Sequence, residues 1–276
     1  MSTDQQILND DLLDENWTRA SIALSEGSSV LSLSGEDSVE EELEDLSGTI
    51  KRPREAQAEE QTQTKVSDKR QKLHTRCMAL HRMSHRQVYN VISQAYNKHH
   101  GGKMSELELA DAIQEASVLE LPNLGKHTLE NLPLYLRHIM PDWKLRLRKK
   151  NPEKSPLMLI MCSSAERVIR VTKSLASFKC RIAKLFSRHT KIEQQEWQLK
   201  KFYSPIAIGT PARVKKLLES GALSLQNTAF VVIDMHLNQK ICSILDVKET
   251  SLDLMELLQY HFMKKISQDD SKLIFY

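Results

Sequence analysis

Apolar residues change their spacing twice along this chain, and each change marks a different kind of structure. Up to about residue 73 they are sparse and aperiodic. Between about 75 and 150 they recur every three to four residues, the spacing of a helix with one buried face. Ser84 is placed to cap the first such helix, with Val88, Val91, Ile92 and Ala95 on its apolar stripe and Gly101-Gly102 ending it. Ser105 and Glu108 form a capping box ahead of Leu109, Ile113 and Ala116, and Pro122 closes that helix. A third helix is expected from about Thr128 to Ile139, with Pro133 tolerated near its first turn and Pro141 just beyond its end. These helices read as a small element docked on something larger.

From about residue 155 the apolar residues gather into short continuous runs alternating with amphipathic stretches. Strands are expected at Leu157–Cys162, Cys180–Phe186, Ile206–Ile208, Ala229–Asp234 and Leu273–Tyr276. Helices fall between them at about Ala165–Ser177, Lys191–Lys201, Pro211–Ser220 and Leu252–Lys265. Strands that are apolar almost throughout belong in a parallel sheet covered on both faces. The expected fold class is therefore α/β, doubly wound around one parallel sheet. Three regions are expected: a tail at 1–73, a helical region at 74–150 and a sheet domain at 151–276. No fixed-period repeat is present.

Composition explains the sparse start. The tail is rich in Ser, Glu, Gln and Asp with few aromatics, and such a segment buries too little apolar surface to offset chain entropy, so disorder is expected. Residues 1–60 hold 16 acidic against 4 basic residues, whereas 61–276 hold 20 acidic against 35 basic. An acidic tail on a basic body points toward nucleic-acid association. Within the tail, Ser34, Glu36, Asp37, Ser38 and Glu40–Glu42 interleave serines with acids, where phosphorylation would deepen the charge. That segment is a solubilising tail or an interaction tail. Lys51, Arg52 and Arg54 followed by Lys65, Lys69, Arg70 and Lys72 have the form of a two-part nuclear-import signal, with an importin as the implied partner. No apolar run approaches the roughly 20 residues that span a bilayer, and no signal peptide is evident, so a soluble, unsecreted protein is expected.

Candidate chemistry is limited. Cys77, Cys162, Cys180 and Cys242 are widely spaced and expected to be reduced. Cys77, His81 and His85 share helical spacing, which suits a packed or solvated face and falls short of the four ligands of a zinc site, so no metal is expected. Trp143 is followed by Lys144, Arg146, Arg148, Lys149 and Lys150, a run that attracts phosphates and sets an aromatic ring beside them. A solvated surface run is the alternative. In open parallel sheets, ligands sit at the carboxyl ends of strands. There the chain offers Ser163, Ser164 and Glu166 after the first strand, Thr210 and Arg213 after the third, and Asp234 after the fourth. Thr210-Pro211 is also good capping chemistry, the hydroxyl accepting a backbone amide and the proline fixing φ.

These strand-end residues carry a resemblance. Over 155–276 the chain resembles the first RecA-like lobe of DEAD-box RNA helicases. Ser163-Ser164-Ala165-Glu166-Arg167-Val168 stands where that family has Pro-Thr-Arg-Glu-Leu-Ala, and Thr210-Pro211-Ala212-Arg213 stands where it has Thr-Pro-Gly-Arg. Asp234-Met235-His236-Leu237 replaces Asp-Glu-Ala-Asp, and Ser187, Arg188 and His189 replace a Gly-Gly loop. The phosphate-binding pattern Gly-x4-Gly-Lys-Ser/Thr is absent, and Gly125-Lys126-His127-Thr128 lacks its first glycine and follows no strand. With Met235 in place of the catalytic glutamate, the resemblance implies a lobe without ATP hydrolysis and without a nucleotide cofactor. It also implies that Thr210 and Arg213, with Arg188, meet an RNA backbone. A diverged ATPase built around Asp234 is the minor alternative.

Taken over about 80–276, the order and degeneracy of these motifs is similar to the Cms family of small-subunit ribosome assembly proteins. That resemblance implies a nuclear, nucleolar protein of the 90S pre-ribosome that binds pre-rRNA or snoRNA, small-subunit processome proteins, or both. A protein scaffold with no RNA contact is the rival expectation. Neither involves a membrane.

Overall fold

The computed structural model describes residues 82–149, 154–188, 190–267 and 271–276. The acidic tail, the proposed import clusters, Cys77, His81 and Lys150 lie outside them. Helix α1, His85–His100, begins at a Ser84 capping box completed by Gln87, and α2, Glu106–Ala112, begins at the Ser105–Glu108 box. Each box satisfies amides that a helix start leaves open. The second helix stops earlier than its periodicity suggests. Ile113 turns extended, a 3₁₀ turn follows at Glu115–Ser117, and the chain then reaches the sheet, where Val118 bridges Leu273 in parallel. Helix α3, Leu132–Ile139, starts four residues later than expected, after a turn in which Leu132 bonds back to Thr128. The basic run forms a short helix, α4, Trp143–Arg148.

The sheet has five parallel strands in the order β2-β3-β1-β4-β5. They are β1 Met158–Met161, β2 Ile182–Leu185, β3 Ile206–Gly209, β4 Phe230–Ile233 and β5 Lys272–Phe275. The α/β class and the single parallel sheet are as the apolar runs imply. Central β1, β3 and β4 are buried at every position, while β2, at an edge, is buried only at Leu185. Between strands run α5 Ala165–Ser174, α6 Ile192–Lys201, α7 Pro211–Glu219 and α8 Lys248–Leu257. A π turn at Leu258–Phe262 leads from α8 into α9, Met263–Ser267. The expected helix at the end of the chain is thus one helical run with a π turn inside it.

Alternation along the strands divides the core into two layers. Leu159, Met161, Ala207, Val231, Ile233 and Leu273 face Ile92 and Tyr96 of α1, Val214 and Leu217 of α7, and Leu254 and Leu257 of α8. Met158, Ile160, Ile206, Ile208, Val232 and Ile274 face α3, α4 and α5 through Tyr135, Leu147 and Val168. The helical region therefore contributes to both layers. Tyr276 adds a tie, donating its hydroxyl to the Thr128 carbonyl at 2.6 Å. Among the described residues no helix is long and apolar enough to cross a membrane, and no three His, Cys, Asp or Glu side chains are grouped to hold a metal. His85 instead meets the Val118 carbonyl through Nε2, at 2.6 Å.

Candidate nucleic-acid interface

Strand order fixes where a ligand crevice would open. The chain leaves β1 toward β2 on one side and β4 toward β5 on the other, so the switch point lies at the carboxyl ends of β1 and β4. An ion pair fills it. Arg167, in the first turn of α5, donates Nε to Asp234 Oδ2 at 2.6 Å and Nη2 to Oδ1 at 2.9 Å, and both side chains are more than nine-tenths buried. Two parallel charge-assisted bonds occupy both oxygens of the carboxylate. Below it lies the Cys162 thiol, which burial, and then the Asp234 charge, hold well above its ordinary range. Met235 is buried, and its amide donates to the Tyr276 carbonyl at 2.6 Å.

The neighbouring Thr-Pro-x-Arg turn is equally committed. Thr210 does cap α7 with Pro211 behind it, but its side chain makes no capping hydrogen bond, contrary to the expectation from the dipeptide. The amide of Thr210 donates instead to the Leu185 carbonyl at 2.9 Å, which tethers the turn to β2. Gly209 is required by the same packing, because a Cβ there would stand 2.7 Å from both that carbonyl and Val214 Cγ2. Arg213 is buried, donating Nη1 to Gln195 Oε1 at 3.0 Å and Nη2 to the Thr190 carbonyl at 3.2 Å. Gln195 in turn donates Nε2 to the carbonyls of Lys184 and Phe186. This network braces the loop after β2. Arg188, on that loop, is exposed.

The opposite, amino-terminal edge of the sheet is open. Three segments, α4, the approach to β2 and the approach to β3, enclose a groove of about 920 Å³. Six cations line it: Lys144, Arg148, Lys179, Arg181, Lys200 and Lys201. Trp143, Phe178, Phe202 and Tyr203 line it as well, and among the described residues no acidic side chain does. Cations and rings are interleaved. The Arg181 guanidinium lies 3.7 Å from the Phe202 ring centre, and Lys201 Nζ lies 4.7 Å from Trp197 and 5.0 Å from Phe202. Burial pushes the Cys180 thiol in the same wall up to about 11. Lys179 takes a left-handed conformation, φ 49°, at the end of the 3₁₀ turn Leu175–Phe178, a place that usually falls to glycine.

The residues named from sequence thus divide between two edges. Lys144 and Arg148 line the groove. Arg146 lies at the same edge but covers the Phe230 ring, 5.3 Å away, and Lys149 is exposed just past α4. Thr210, Arg213, Arg188 and Asp234 lie at the other edge, separated from the groove by the strand length, roughly 13 Å for four residues. Sequence reading missed Lys179, Arg181, Lys200 and Lys201 among the cations, and Phe178, Phe202 and Tyr203 among the rings. Their signal was present in Phe178-Lys179-Cys180-Arg181 and Lys200-Lys201-Phe202-Tyr203, two more runs that mix rings with cations.

A family model described as CMS1, U3-containing 90S pre-ribosomal complex subunit, matches residues 37–276. The chain belongs to the CMS1 family. Among curated relatives, Protein CMSS1 of Xenopus laevis is 34% identical over 164 residues, 58% of this chain and 58% of that protein. Protein CMSS1 of Homo sapiens is 35% identical over 147 residues, 52% of each chain. Protein CMS1 of Chaetomium thermophilum is 34% identical over 185 residues, 64% of this chain and 74% of that protein. The matched stretch spans little more than half the length of the frog and human relatives. Neither the family's description nor these names is that of an enzyme. The matched residues of the CMS1 family include every segment that builds the groove and the plugged switch point.

Proposed function

We propose that this chain is a non-catalytic RNA-binding assembly factor of small ribosomal subunit biogenesis, acting within the 90S pre-ribosome. The observation that carries the proposal is the groove at one edge of the sheet, where the described lining brings together six cations and four aromatic rings and no acid. Neutralising phosphates with such a surface releases counterions and supplies most of the sequence-independent affinity for RNA. Family membership supports the 90S setting, and pre-rRNA or snoRNA is the RNA that such a setting brings within reach. Lys144 and Arg148 remain phosphate contacts in this reading. Thr210 and Arg188 form a secondary contact at most, and Arg213 is structural. The non-catalytic part is supported by Asp234, whose carboxylate is taken up by Arg167 where a nucleotide enzyme would need it for magnesium. Entry to the nucleus and nucleolus would use an importin bound to Lys51, Arg52 and Arg54 with Lys69, Arg70 and Lys72, while the acidic tail engages basic processome proteins.

One observation favours a protein scaffold as a second reading. Leu107 and Tyr260 are exposed, at 77% and 68%, and the segments around them meet where Gln259, next to Tyr260, donates to the sulfur of Met104, just ahead of α2. Crosslinking of the tagged chain in cells separates the two. The RNA reading expects pre-rRNA or snoRNA crosslinks that fall sharply in the Lys144→Glu, Arg148→Glu double variant; wild-type protein that crosslinks to no such RNA while still associating with pre-ribosomes supports the scaffold.

A further inference from the structure

The chemistry of the groove goes further than a basic patch. We infer that it binds single-stranded RNA by base stacking, with the exposed ring of Trp197 as a principal stacking platform. This inference rests on the RNA-binding reading of the same groove. A patch that recognised only the phosphates of a duplex would need cations alone, because paired bases keep their faces inside the helix. Here rings and cations alternate along one wall. Trp197, just beyond the lining, stands edge-on to Phe202 with ring centres 6.0 Å apart, and Lys201 reaches both rings. Phe202 carries the Arg181 guanidinium on its face. The exposed Arg181 offers a planar, charged surface for a second base.

Trp197 is 54% exposed midway along α6, whose inward side is supplied by Gln195 and Leu199. Packing of the fold does not use most of its ring. A large exposed ring beside a lysine, one turn after the exposed Glu193 and adjoining a groove whose described lining holds no acid, suits a base that has left its stack: the ring covers one base face while Lys200 and Lys201 meet the flanking phosphates. Sequence preference is expected to be slight, since every base has a face to stack.

The experiment uses the purified full chain with three probes: a labelled oligouridylate, an RNA duplex of equal length, and the chain's own tryptophan fluorescence. The single strand is expected to bind at least about tenfold more tightly than the duplex and to quench tryptophan emission. Trp197→Ala is expected to weaken single-strand binding about tenfold and to remove part of the quench, while Trp197→Phe keeps most of the affinity. Both variants should melt with the wild type. Equal affinity for duplex and single strand, or unchanged affinity and quench in Trp197→Ala, overturns the stacking inference yet leaves RNA binding standing. Failure of both RNAs to bind, or single-strand affinity unchanged in the Lys200→Glu, Lys201→Glu double variant, rejects RNA binding at this groove and turns it over to an acidic protein partner.

Discussion

The two edges of this sheet are built from similar material and used in opposite ways. At the carboxyl edge, arginines face inward: Arg167 is spent on Asp234, and Arg213 on Gln195 and the Thr190 carbonyl. At the amino edge, cations face a solvent groove and lie against aromatic rings. Strand-end position alone would assign binding to the first edge, since open parallel sheets place ligands there. Burial and pairing favour the second for the proposed RNA contact. An arginine whose donors are already committed inside the core has to break those bonds before it can take a phosphate.

The largest effect expected from breaking this contrast is on stability. Arg167→Leu leaves the Asp234 carboxylate buried without a partner, which costs about 3–5 kcal/mol. The double variant Arg167→Met, Asp234→Leu should recover most of that loss, because a well-packed apolar pair can replace a buried ion pair. Chemical denaturation measures both, and a loss below about 1 kcal/mol for the single variant would show that the pair is not what holds the switch point shut. Next in size, Arg213→Ala strands Gln195 and the Thr190 carbonyl and should cost about 1–3 kcal/mol. Affinity for RNA should stay within twofold of wild type in the folded protein. A tenfold loss of affinity with unchanged stability would return RNA contact to the carboxyl edge.

The smallest effect sharpens the other side. Lys179→Gly relieves a left-handed backbone that costs a non-glycine residue about 1 kcal/mol, so the variant should be slightly more stable than wild type. It also removes one groove cation, so RNA affinity should fall and its salt dependence should become shallower by roughly 0.7 in log–log slope. Stability and binding would then move in opposite directions at one residue.

What could be read from the sequence follows from how local each feature is. Apolar runs locate all five strands to within two residues, because a strand buried on both faces has no other way to look. Ser84 and Ser105 mark helix starts through bonds that span three residues. The early end of α2 was not legible, since Ile113 turns extended so that Val118 can reach Leu273, 155 positions along the chain. The Arg167–Asp234 pair joins residues 67 apart, and nothing around either one names the other. The groove was legible only in part. Its α4 wall is a dense basic run, but the walls from Phe178–Arg181 and Lys200–Tyr203 are brief, and only the strand order brings the three together. Thr210 exemplifies the opposite error, a good capping residue whose turn is held by its backbone instead.

In the proposed function, RNA is held at the amino edge of the sheet. Photocrosslinking of the full chain to a thiouridine-containing single-stranded RNA, followed by mass-spectrometric mapping of the linked peptides, tests it most directly. Crosslinks are expected in the peptides that carry Trp143–Arg148, Phe178–Arg181 and Trp197–Tyr203. Crosslinks confined to Ser187–Arg188 and Ile208–Arg213 would contradict it.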